Sequence, residues 1–176
     1  MARHYLSICI NKILNRLGVQ VFLITTTTAL LLTCPVTSLA ANNKVVGVPR
    51  IIDGDTLSID GKRIRLHGID APENKQYCTK DGNSWHCGRK ATEALSRMVS
   101  GNMIECVWDK RDRYKRLIAI CYLEDLNLNA NMVKEGWALA YIRYSDDYVE
   151  QEQKAQKEFQ GIWAGEFVPP WDWRNH

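Results

Sequence analysis

The sequence predicts a mainly β fold with α-helices (α+β), in which a small five-stranded barrel carries three helices at its edge. Three segments with strand-like apolar patterns come first, followed by a helical segment, two more strands and two more helices. The pair Asp60-Gly61 between the second and third strands favours a β-hairpin. No linker, internal repeat or low-complexity tract divides these segments. They therefore predict one compact domain.

The individual elements follow from composition and periodicity. β-branched and alternating apolar residues predict strands over 44–52, 56–59, 62–66, 103–108 and 117–122. Helical periodicity and end signals predict helices over 91–99, 127–135 and 147–160, the last burying Tyr148, Ala155 and Phe159. Asn127 is predicted to cap the start of the second helix. The polar residues 74–88 are expected to form a loop. The aromatic tail from Gly161 is expected to pack on the surface without a chemical role.

Residues 1–40 differ from the rest of the chain. Their only charges are three basic residues, and the run 19–33 carries no charge. With the small residues Ser38 and Ala40, this pattern predicts a signal peptide over residues 1–40 that is cleaved after Ala40. The alternative is an uncleaved membrane anchor, although the apolar run is short for a bilayer-spanning helix and contains four consecutive threonines.

The charge balance gives no support to an argument from net charge. The chain has 23 Lys+Arg and 20 Asp+Glu, a formal net charge of +3. Arg3, Lys12 and Arg16 account for the whole excess, so residues 41–176 carry 20 charges of each sign. Affinity for a polyanion would therefore have to come from local clusters of basic residues.

Four of the six cysteines follow the predicted signal peptide, and an even number in an exported domain favours disulfides. Cys78 and Cys87 flank a polar loop, whereas Cys106 and Cys121 lie on the two arms of a predicted hairpin. Of the three possible pairings we expect 78–87 with 106–121. The alternative is a metal site that uses His86 with Cys78 and Cys87, but this spacing matches no common zinc pattern.

The stretch 51–73 places acids around one arginine, between short apolar runs. Its charged candidates are Asp53, Asp55, Arg65, Asp70 and Glu73. Asp55 and Asp70 could supply two carboxylates to a hard cation, for which Ca²⁺ is better suited than Zn²⁺. Taken singly, each aspartate is equally typical of a tight turn. Asp53 is expected to serve the turn or to support the ligands rather than to bind a metal.

Phosphodiester hydrolysis requires positive charge at the phosphoryl oxygens, a base that activates water, and stabilisation of the leaving oxygen. Arg65 lies between Ile64 and Leu66 in a predicted strand, so its planar guanidinium faces away from theirs and could grip a phosphate. Glu73 could be the base. Each residue alone would pass for an ordinary exposed side chain.

A second charged cluster occupies the predicted turn 110–116. It contains five basic residues, one acid and a tyrosine. A charged turn is usually just solvated. As the strongest positive patch of a neutral domain, however, it could contact backbone phosphates and stack bases.

These motifs resemble the staphylococcal nuclease (thermonuclease) family. The matching blocks, in order, are IDGDT at 52–56, RLHGIDAPE at 65–73, DRYKR at 112–116 and VKEGWA at 133–138. The resemblance covers nearly all of residues 45–163, and its blocks are specific together although each is weak alone. It implies an OB-fold barrel of five strands with three helices, and Ca²⁺-dependent hydrolysis of DNA and RNA.

The resemblance also implies individual roles. The metal ligands would be Asp55, Asp70 and the backbone carbonyl of Ala71. The catalytic residues would be Arg65 and Arg116 on the phosphate and Glu73 as general base. The substrate-binding residues would be Arg113 and Tyr114 at a terminal phosphate and Tyr141 stacked on the nucleotide.

The resulting prediction is an exported nuclease, secreted or periplasmic, that acts as a monomer on DNA, RNA or both and leaves 3′-phosphate ends. No stable membrane association is expected after signal cleavage. The alternative is a non-catalytic OB-fold module that binds an oligonucleotide or an oligosaccharide. The enzyme is favoured because all three catalytic positions retain their chemistry.

The chain departs from the family pattern at two positions of the predicted site. Lys115 stands where the family usually has glycine before the second arginine, so a positive φ there would strain the turn and could displace Arg116. Arg143 stands where the staphylococcal enzyme has a second substrate tyrosine. The loop between Cys78 and Cys87 also differs, which affects substrate access more than chemistry.

Overall fold

The computed structural model of the protein describes residues 43–175. The predicted signal peptide and its cleavage site after Ala40 lie outside these residues. The described residues combine one large mixed sheet and two small sheets with several helices, which confirms the predicted α+β fold. No helix among them is long and apolar enough to cross a membrane.

Seven strands form the main sheet, which curls into a half-barrel. The strands of the chain are β1 (Asn43–Gly47), β2 (Arg50–Ile51), β3 (Thr56–Ile59), β4 (Lys62–Leu66), β5 (Ile69–Asp70), β6 (Cys78–Lys80), β7 (Asn83–Trp85), β8 (Ile104–Arg111), β9 (Leu117–Leu123), β10 (Leu126–Asn127) and β11 (Leu139–Ala140). In the main sheet the order is β1-β8-β9-β4-β3-β2, with β10 paired to β9. Among the strands that the structure describes, only β4 and β9 pair in parallel. β5 pairs with β11, and β6 with β7.

The predicted first strand, 44–52, is divided into β1 and β2. β1 pairs with β8 at one edge of the sheet, and β2 pairs with β3 at the other edge. Gly47 ends β1, and a Cβ atom there would lie 2.6 Å from Cγ2 of Ile59. One short stretch of chain thus joins the two edges of the curled sheet, and the close approach at Gly47 leaves no room for a side chain.

Within residues 43–175, four α-helices and one 3₁₀ turn accompany the sheets. They are α1 (Cys87–Val99), α2 (Leu128–Lys134), α3 (Val149–Lys157), the 3₁₀ turn Gly161–Ala164, and α4 (Pro170–Trp173). The apolar face of α1 packs into the core, as its periodicity predicts, with Ala91, Ala94, Leu95 and Val99 buried and Met98 partly buried. The side chain of Asn127 accepts a hydrogen bond from the N–H of Ala130, which confirms the predicted cap of α2.

The structure corrects three sequence-based expectations. Residues 74–88, expected to be a loop, contain the hairpin of β6 and β7 and the start of α1. The helix expected over 147–160 ends at Lys157, because Phe159 adopts a positive φ of 53° and leaves the helix; its side chain is 71% exposed instead of buried. The tail does more than cover the surface, since Ile162 is fully buried beside Leu139 in a second apolar cluster.

Both expected disulfides are present. Cys78 is joined to Cys87 and Cys106 to Cys121. The first bridge closes the hairpin of β6 and β7 onto the start of α1, and the second joins the paired strands β8 and β9. All four cysteines are buried. The sulfur atoms of Cys78 and Cys87 are bonded to each other and are not available as metal ligands, which excludes the alternative zinc site.

Candidate active site

Arg65 lies at the centre of the predicted acidic stretch. Its neighbours in β4, Ile64 and Leu66, are buried in the core, so its side chain projects from the opposite face of the strand, as predicted. Its guanidinium forms an ion pair with Asp55 and donates a hydrogen bond to Oδ1 of Asp70 at 2.8 Å. The side chain of Arg65 is 13% exposed and that of Asp70 is fully buried. One buried guanidinium therefore holds two carboxylates together.

Asp55 is fixed by the backbone as well as by Arg65. Its Oδ2 accepts a hydrogen bond from the N–H of Ala71 at 2.8 Å, and its Oδ1 accepts one from the hydroxyl of Thr56. The carboxylate of Asp53 accepts the N–H of Asp55, which matches its expected role in the turn. A Cβ at Gly54 would lie 2.7 Å from Cβ of Ala71, so this turn can approach Ala71 only with glycine.

Burial and neighbouring charges shift the pKa values of Asp53, Arg65 and Asp70. Burial raises the pKa of Asp70, although the guanidinium of Arg174 opposes this increase through hydrogen bonds. Burial and the nearby Asp55 carboxylate raise the pKa of Asp53 to about 7. For Arg65, burial would lower the pKa, but the Asp55 and Asp70 carboxylates outweigh it and raise the pKa. The guanidinium of Arg65 therefore remains charged, and its positive charge favours the ionised forms of Asp53 and Asp70.

Glu73 is positioned through its backbone. Gln76 is fully buried; its side-chain oxygen accepts the N–H of Glu73 at 3.2 Å, and its own N–H donates to the carbonyl of Glu73 at 2.7 Å. Gly88, in the first turn of α1, leaves no room for a side chain, because a Cβ there would lie 1.7 Å from that carbonyl oxygen. The side chain of Glu73 is 33% exposed and reaches solvent beside Asp70.

A residue that the sequence did not predict completes this group. Arg174, just after α4, donates to both oxygens of Asp70 at 3.1 and 2.8 Å, and to Oε1 of Glu73 at 2.7 Å. Hydrogen bonds to Asp70, followed by those to Glu73, raise its pKa against the effect of burial. We call the set Asp55, Arg65, Asp70, Glu73 and Arg174 the acid–arginine cluster. No local pattern indicates Arg174, because Asp70 precedes it by 104 residues.

Residues 110–116, here called the basic turn, form a separate group. Asp112 organises the turn: its carboxylate accepts the N–H groups of Tyr114 and Arg116 and the Nε–H of Arg116 at 2.7 Å. The guanidiniums of Arg113 and Arg116 lie 4.8 and 5.5 Å from the ring centroid of Tyr114. Lys115 has φ 64°, so the strain expected at this position is present.

The structure connects the two groups through paired strands without joining their side chains. Arg65 pairs in register with Ile118 in β9, and Arg116 directly precedes β9, two residues before Ile118. The guanidinium of Arg116 is bound by Asp112, and it makes no hydrogen bond or ion pair with the acid–arginine cluster in the part of the chain that the structure describes.

Tyr141 lies next to the acid–arginine cluster through the backbone. It follows β11, whose partner β5 contains Asp70, and its N–H donates to the carbonyl of Gly68 at 2.8 Å. The ring of Tyr144 packs edge-on against Tyr141, with centroids 4.9 Å apart. Trp171 stacks on Tyr141 at 5.5 Å with an interplanar angle of 5°. The ring expected to stack on a nucleotide thus already carries an aromatic partner from the tail.

The side chains of Asp55 and Asp70 are suitable ligands for a hard cation. They are close enough to share one guanidinium, and carboxylate oxygens are preferred by Ca²⁺. No group of three or more His, Cys, Asp and Glu within residues 43–175 forms a ready-made metal site. A cation here would thus require backbone carbonyl or water ligands as well. Ala71 uses its N–H to hold Asp55, and ligation through its carbonyl stays a prediction.

Comparisons with known proteins agree with these features. A family model described as staphylococcal nuclease homologue matches residues 63–165. An "Uncharacterized endonuclease" of Escherichia coli is 36% identical over 136 residues, covering 73% of this chain and 83% of the relative. A "Thermonuclease" of Staphylococcus hyicus is 33% identical over 135 residues, covering 70% and 78%. A "Micrococcal nuclease" of Shigella flexneri is 30% identical over 146 residues, covering 73% and 79%.

Proposed function

The chain belongs to the staphylococcal nuclease family and is a nuclease, and from this membership we propose that it is an exported, Ca²⁺-dependent enzyme that hydrolyses phosphodiester bonds of DNA, RNA or both to 3′-phosphate ends. The observation that supports the proposal best is Arg65, a buried guanidinium that holds Asp55 and Asp70 beside Glu73. Arg65, Glu73 and Arg116 all retain the chemistry of the proposed reaction, which a non-catalytic binding module would not require. The substrate is nucleic acid, as the names of the relatives imply.

In the proposed mechanism Glu73 accepts a proton from a water molecule, and the resulting hydroxide attacks phosphorus in line with the 5′ oxygen. The bond from phosphorus to the 5′ oxygen breaks, and that oxygen leaves as a hydroxyl after protonation from solvent. Arg65 and Arg116 donate hydrogen bonds to the phosphoryl oxygens, which carry more charge in the transition state than in the substrate. Glu73 suits the role of base because it is partly exposed and its backbone is held by Gln76.

A calcium ion bound by Asp55, Asp70 and the carbonyl of Ala71 would offset negative charge on the phosphate. The residues of the chain perform the remaining tasks. Burial keeps Arg65 fixed between the two carboxylates, and the phosphate would be bound by the N–H groups of its guanidinium that these carboxylates leave free. Arg116 has its Nε–H engaged by Asp112, which leaves the other N–H groups of its guanidinium to reach the phosphate.

Substrate contacts are proposed for Arg113, Tyr114 and Tyr141. Arg113 and Tyr114 are exposed on the basic turn, where they can reach a terminal phosphate. Tyr141 can stack on a nucleotide base. Arg143 is exposed beside Tyr144, so this second tyrosine, one position further along, could supply the base contact that Arg143 cannot.

Export is proposed from the signal peptide predicted over residues 1–40. The two disulfides are consistent with a secreted or periplasmic protein, because such bonds persist in oxidising compartments. The processed protein is proposed to act as a monomer without stable membrane association. Expression of the whole chain with recovery of a protein that begins at Ala41, identified by mass spectrometry of its N-terminus, would support the cleavage site. Retention of residues 1–40 would instead support an anchor.

The enzymatic proposal is tested by incubating purified residues 41–176 with plasmid DNA and with RNA, in Ca²⁺ and in a chelator. We expect degradation that requires Ca²⁺ and products that carry 3′-phosphates, which a phosphatase converts to extendable 3′ ends. Degradation that persists in the chelator would refute the calcium requirement. Binding without degradation under any condition would favour the non-catalytic OB-fold module.

A further inference from the structure

The tail places two side chains on the proposed site at the same time. Arg174 binds both oxygens of Asp70 and one oxygen of Glu73, while Trp171 stacks on Tyr141. The two residues are three positions apart on the single turn of α4, so they lie on one face of it. One short element therefore contacts the proposed metal ligand, the proposed base and the proposed nucleotide platform together.

Hydrogen bonds fix the tail to the rest of the fold just before α4. Thr79 and Glu166 exchange backbone hydrogen bonds of 2.8 and 2.7 Å, which tie the tail to the disulfide-closed hairpin. The buried side chain of Gln76 donates to the carbonyl of Val168 at 2.6 Å. Both contacts precede α4. Pro170 is buried and Trp171 packs partly against the second apolar cluster, so opening of α4 must expose these two side chains while the chain before them stays in place.

Arg174 and a divalent cation cannot both use Asp70 in the arrangement observed. The two oxygens of Asp70 accept hydrogen bonds from Arg174, and one of them also accepts from Arg65. A cation directed to the same oxygens would meet two guanidinium groups, and like charges at such distances repel strongly in a buried site. Arg65 is enclosed by the fold, but Arg174 is 39% exposed and near the end of the chain. Arg174 is therefore the group that a cation would displace.

We propose that residues 170–174 form an internal competitor of substrate and cofactor, in which Arg174 occupies the cation position at Asp70 and Trp171 occupies the base position at Tyr141. This inference rests on the proposed function of the same site. The closed segment reduces the apparent affinity for Ca²⁺ and nucleotide to the intrinsic affinity multiplied by the fraction of molecules in which the site is open. Because coupling is reciprocal, Ca²⁺ and nucleotide open the segment.

The first test measures Ca²⁺ binding by isothermal titration calorimetry without substrate. Arg174→Gln removes the guanidinium, and Arg97→Gln, on the exposed face of α1, removes the same charge far from the site. We expect Arg174→Gln to lower the Kd for Ca²⁺ about tenfold, as expected if the site is open in roughly a tenth of wild-type molecules. The control should keep the wild-type Kd.

The outcomes of this titration separate the two proposals. Equal Ca²⁺ affinity in wild type and Arg174→Gln would overturn the competition. A fall in kcat of Arg174→Gln at saturating Ca²⁺, with unchanged Ca²⁺ affinity, would also overturn it, since Arg174 would then assist the reaction. If neither protein binds Ca²⁺, the calcium-dependent function itself fails.

The second test follows the segment directly by hydrogen exchange. The N–H groups of Asp172, Trp173 and Arg174 donate to Pro169 and Pro170 in the closed segment. Saturating Ca²⁺ should make these three amides exchange about tenfold faster in wild type, by reciprocity with the first test. Unchanged exchange, in a protein whose Ca²⁺ binding has been measured, would overturn the proposal.

The third test concerns the base position. Binding of a single-stranded thymidine tetranucleotide is measured by calorimetry in a chelator, where no cleavage is expected. Trp171→Leu should bind more tightly, by about threefold to tenfold, because Tyr141 becomes free to stack. Trp173→Leu, in the same turn but not stacked on Tyr141, should bind as wild type does. Weaker binding by Trp171→Leu would make Trp171 part of the binding surface and overturn this half of the proposal.

Discussion

The acid–arginine cluster and the basic turn use the same guanidinium chemistry in opposite surroundings. In the cluster, Arg65 is 13% exposed and is held by the carboxylates of Asp55 and Asp70, which flank β4 at sequence separations of 10 and 5. In the basic turn, Arg116 is 21% exposed and is held by Asp112, four residues away. The first arginine is positioned by the tertiary fold and the second by one local hydrogen-bonded turn. Substitution of Arg65 should therefore lower both activity and stability, whereas substitution of Arg116 should lower activity with little change in stability.

The difference in burial also explains why loss of Arg65 and loss of Arg116 should cost the protein different amounts of stability. Carboxylates buried with a guanidinium depend on it, since either partner alone would be an uncompensated buried charge. An ion pair at the surface is screened by water and contributes little to stability. Arg65 is thus expected to serve both fold and reaction, whereas Arg116 is expected to serve the reaction almost alone.

The largest expected effect is that of Arg65→Ala. Activity should fall by about 10²- to 10³-fold, as for other donors to a transition state, and unfolding should become easier by about 3 kcal/mol because Asp55 and Asp70 lose their shared partner. Nuclease assays and urea denaturation measure the two losses. Arg63→Ala, an exposed position of the same strand, is the matched control and should change neither. Full activity in Arg65→Ala would refute the role of this residue.

Arg116→Ala tests the other region. Activity should again fall by about 10²- to 10³-fold, but the free energy of unfolding should change by less than about 1 kcal/mol. Lys110→Ala removes a charge from the same turn and should affect mainly KM, by weakening contact with the phosphate backbone. Near-normal activity of Arg116→Ala would mean that the basic turn does not share in catalysis.

Asp112→Asn should have a smaller and pH-dependent effect. Although burial opposes it, hydrogen bonds from Arg116 hold the pKa of Asp112 below its ordinary value of 3.8. Asp112 thus contributes stability above pH 3.8 that is lost as the pH falls through the lowered pKa. We expect Asp112→Asn to cost about 1 kcal/mol at pH 7 and activity to fall about tenfold as Arg116 loses its position. Thermal melts of both proteins should converge as the pH falls through the lowered pKa of Asp112; a difference that persists after Asp112 is protonated would contradict the ionic explanation.

The smallest effect is expected at Lys115, whose φ of 64° disfavours any side chain. Lys115→Gly should stabilise the protein by about 0.5 kcal/mol, since relief of the left-handed strain exceeds the entropy that glycine adds to the unfolded chain. Lys115→Ala keeps the strain and should give no gain. If thermal melts find Lys115→Gly less stable than Lys115→Ala, the strain at this turn is not a significant cost.

The sequence predicted the local features of the site well. The apolar neighbours of Arg65 place its side chain on the opposite face, and the cap at Asn127, the two disulfides and the positive φ at Lys115 all agree with the structure. These features depend on residues that are near in sequence or on cysteine chemistry. The helix over 147–160 was overestimated, because periodicity does not reveal where a chain turns away at Phe159.

The sequence by itself determined the fold class, the family, the disulfides and the candidate residues, because alternation, spacing and motif order are local properties of the chain. Only the tertiary structure decided which charges meet. It brought Arg174 across 104 residues to Asp70, placed Trp171 on Tyr141 and left Arg116 with Asp112. The physical reason is that a buried carboxylate needs a partner for its charge, and the packing of the fold determines which guanidinium lies beside it. The tail held by Gln76 places Arg174 beside Asp70, a contact that no local pattern of the sequence could reveal.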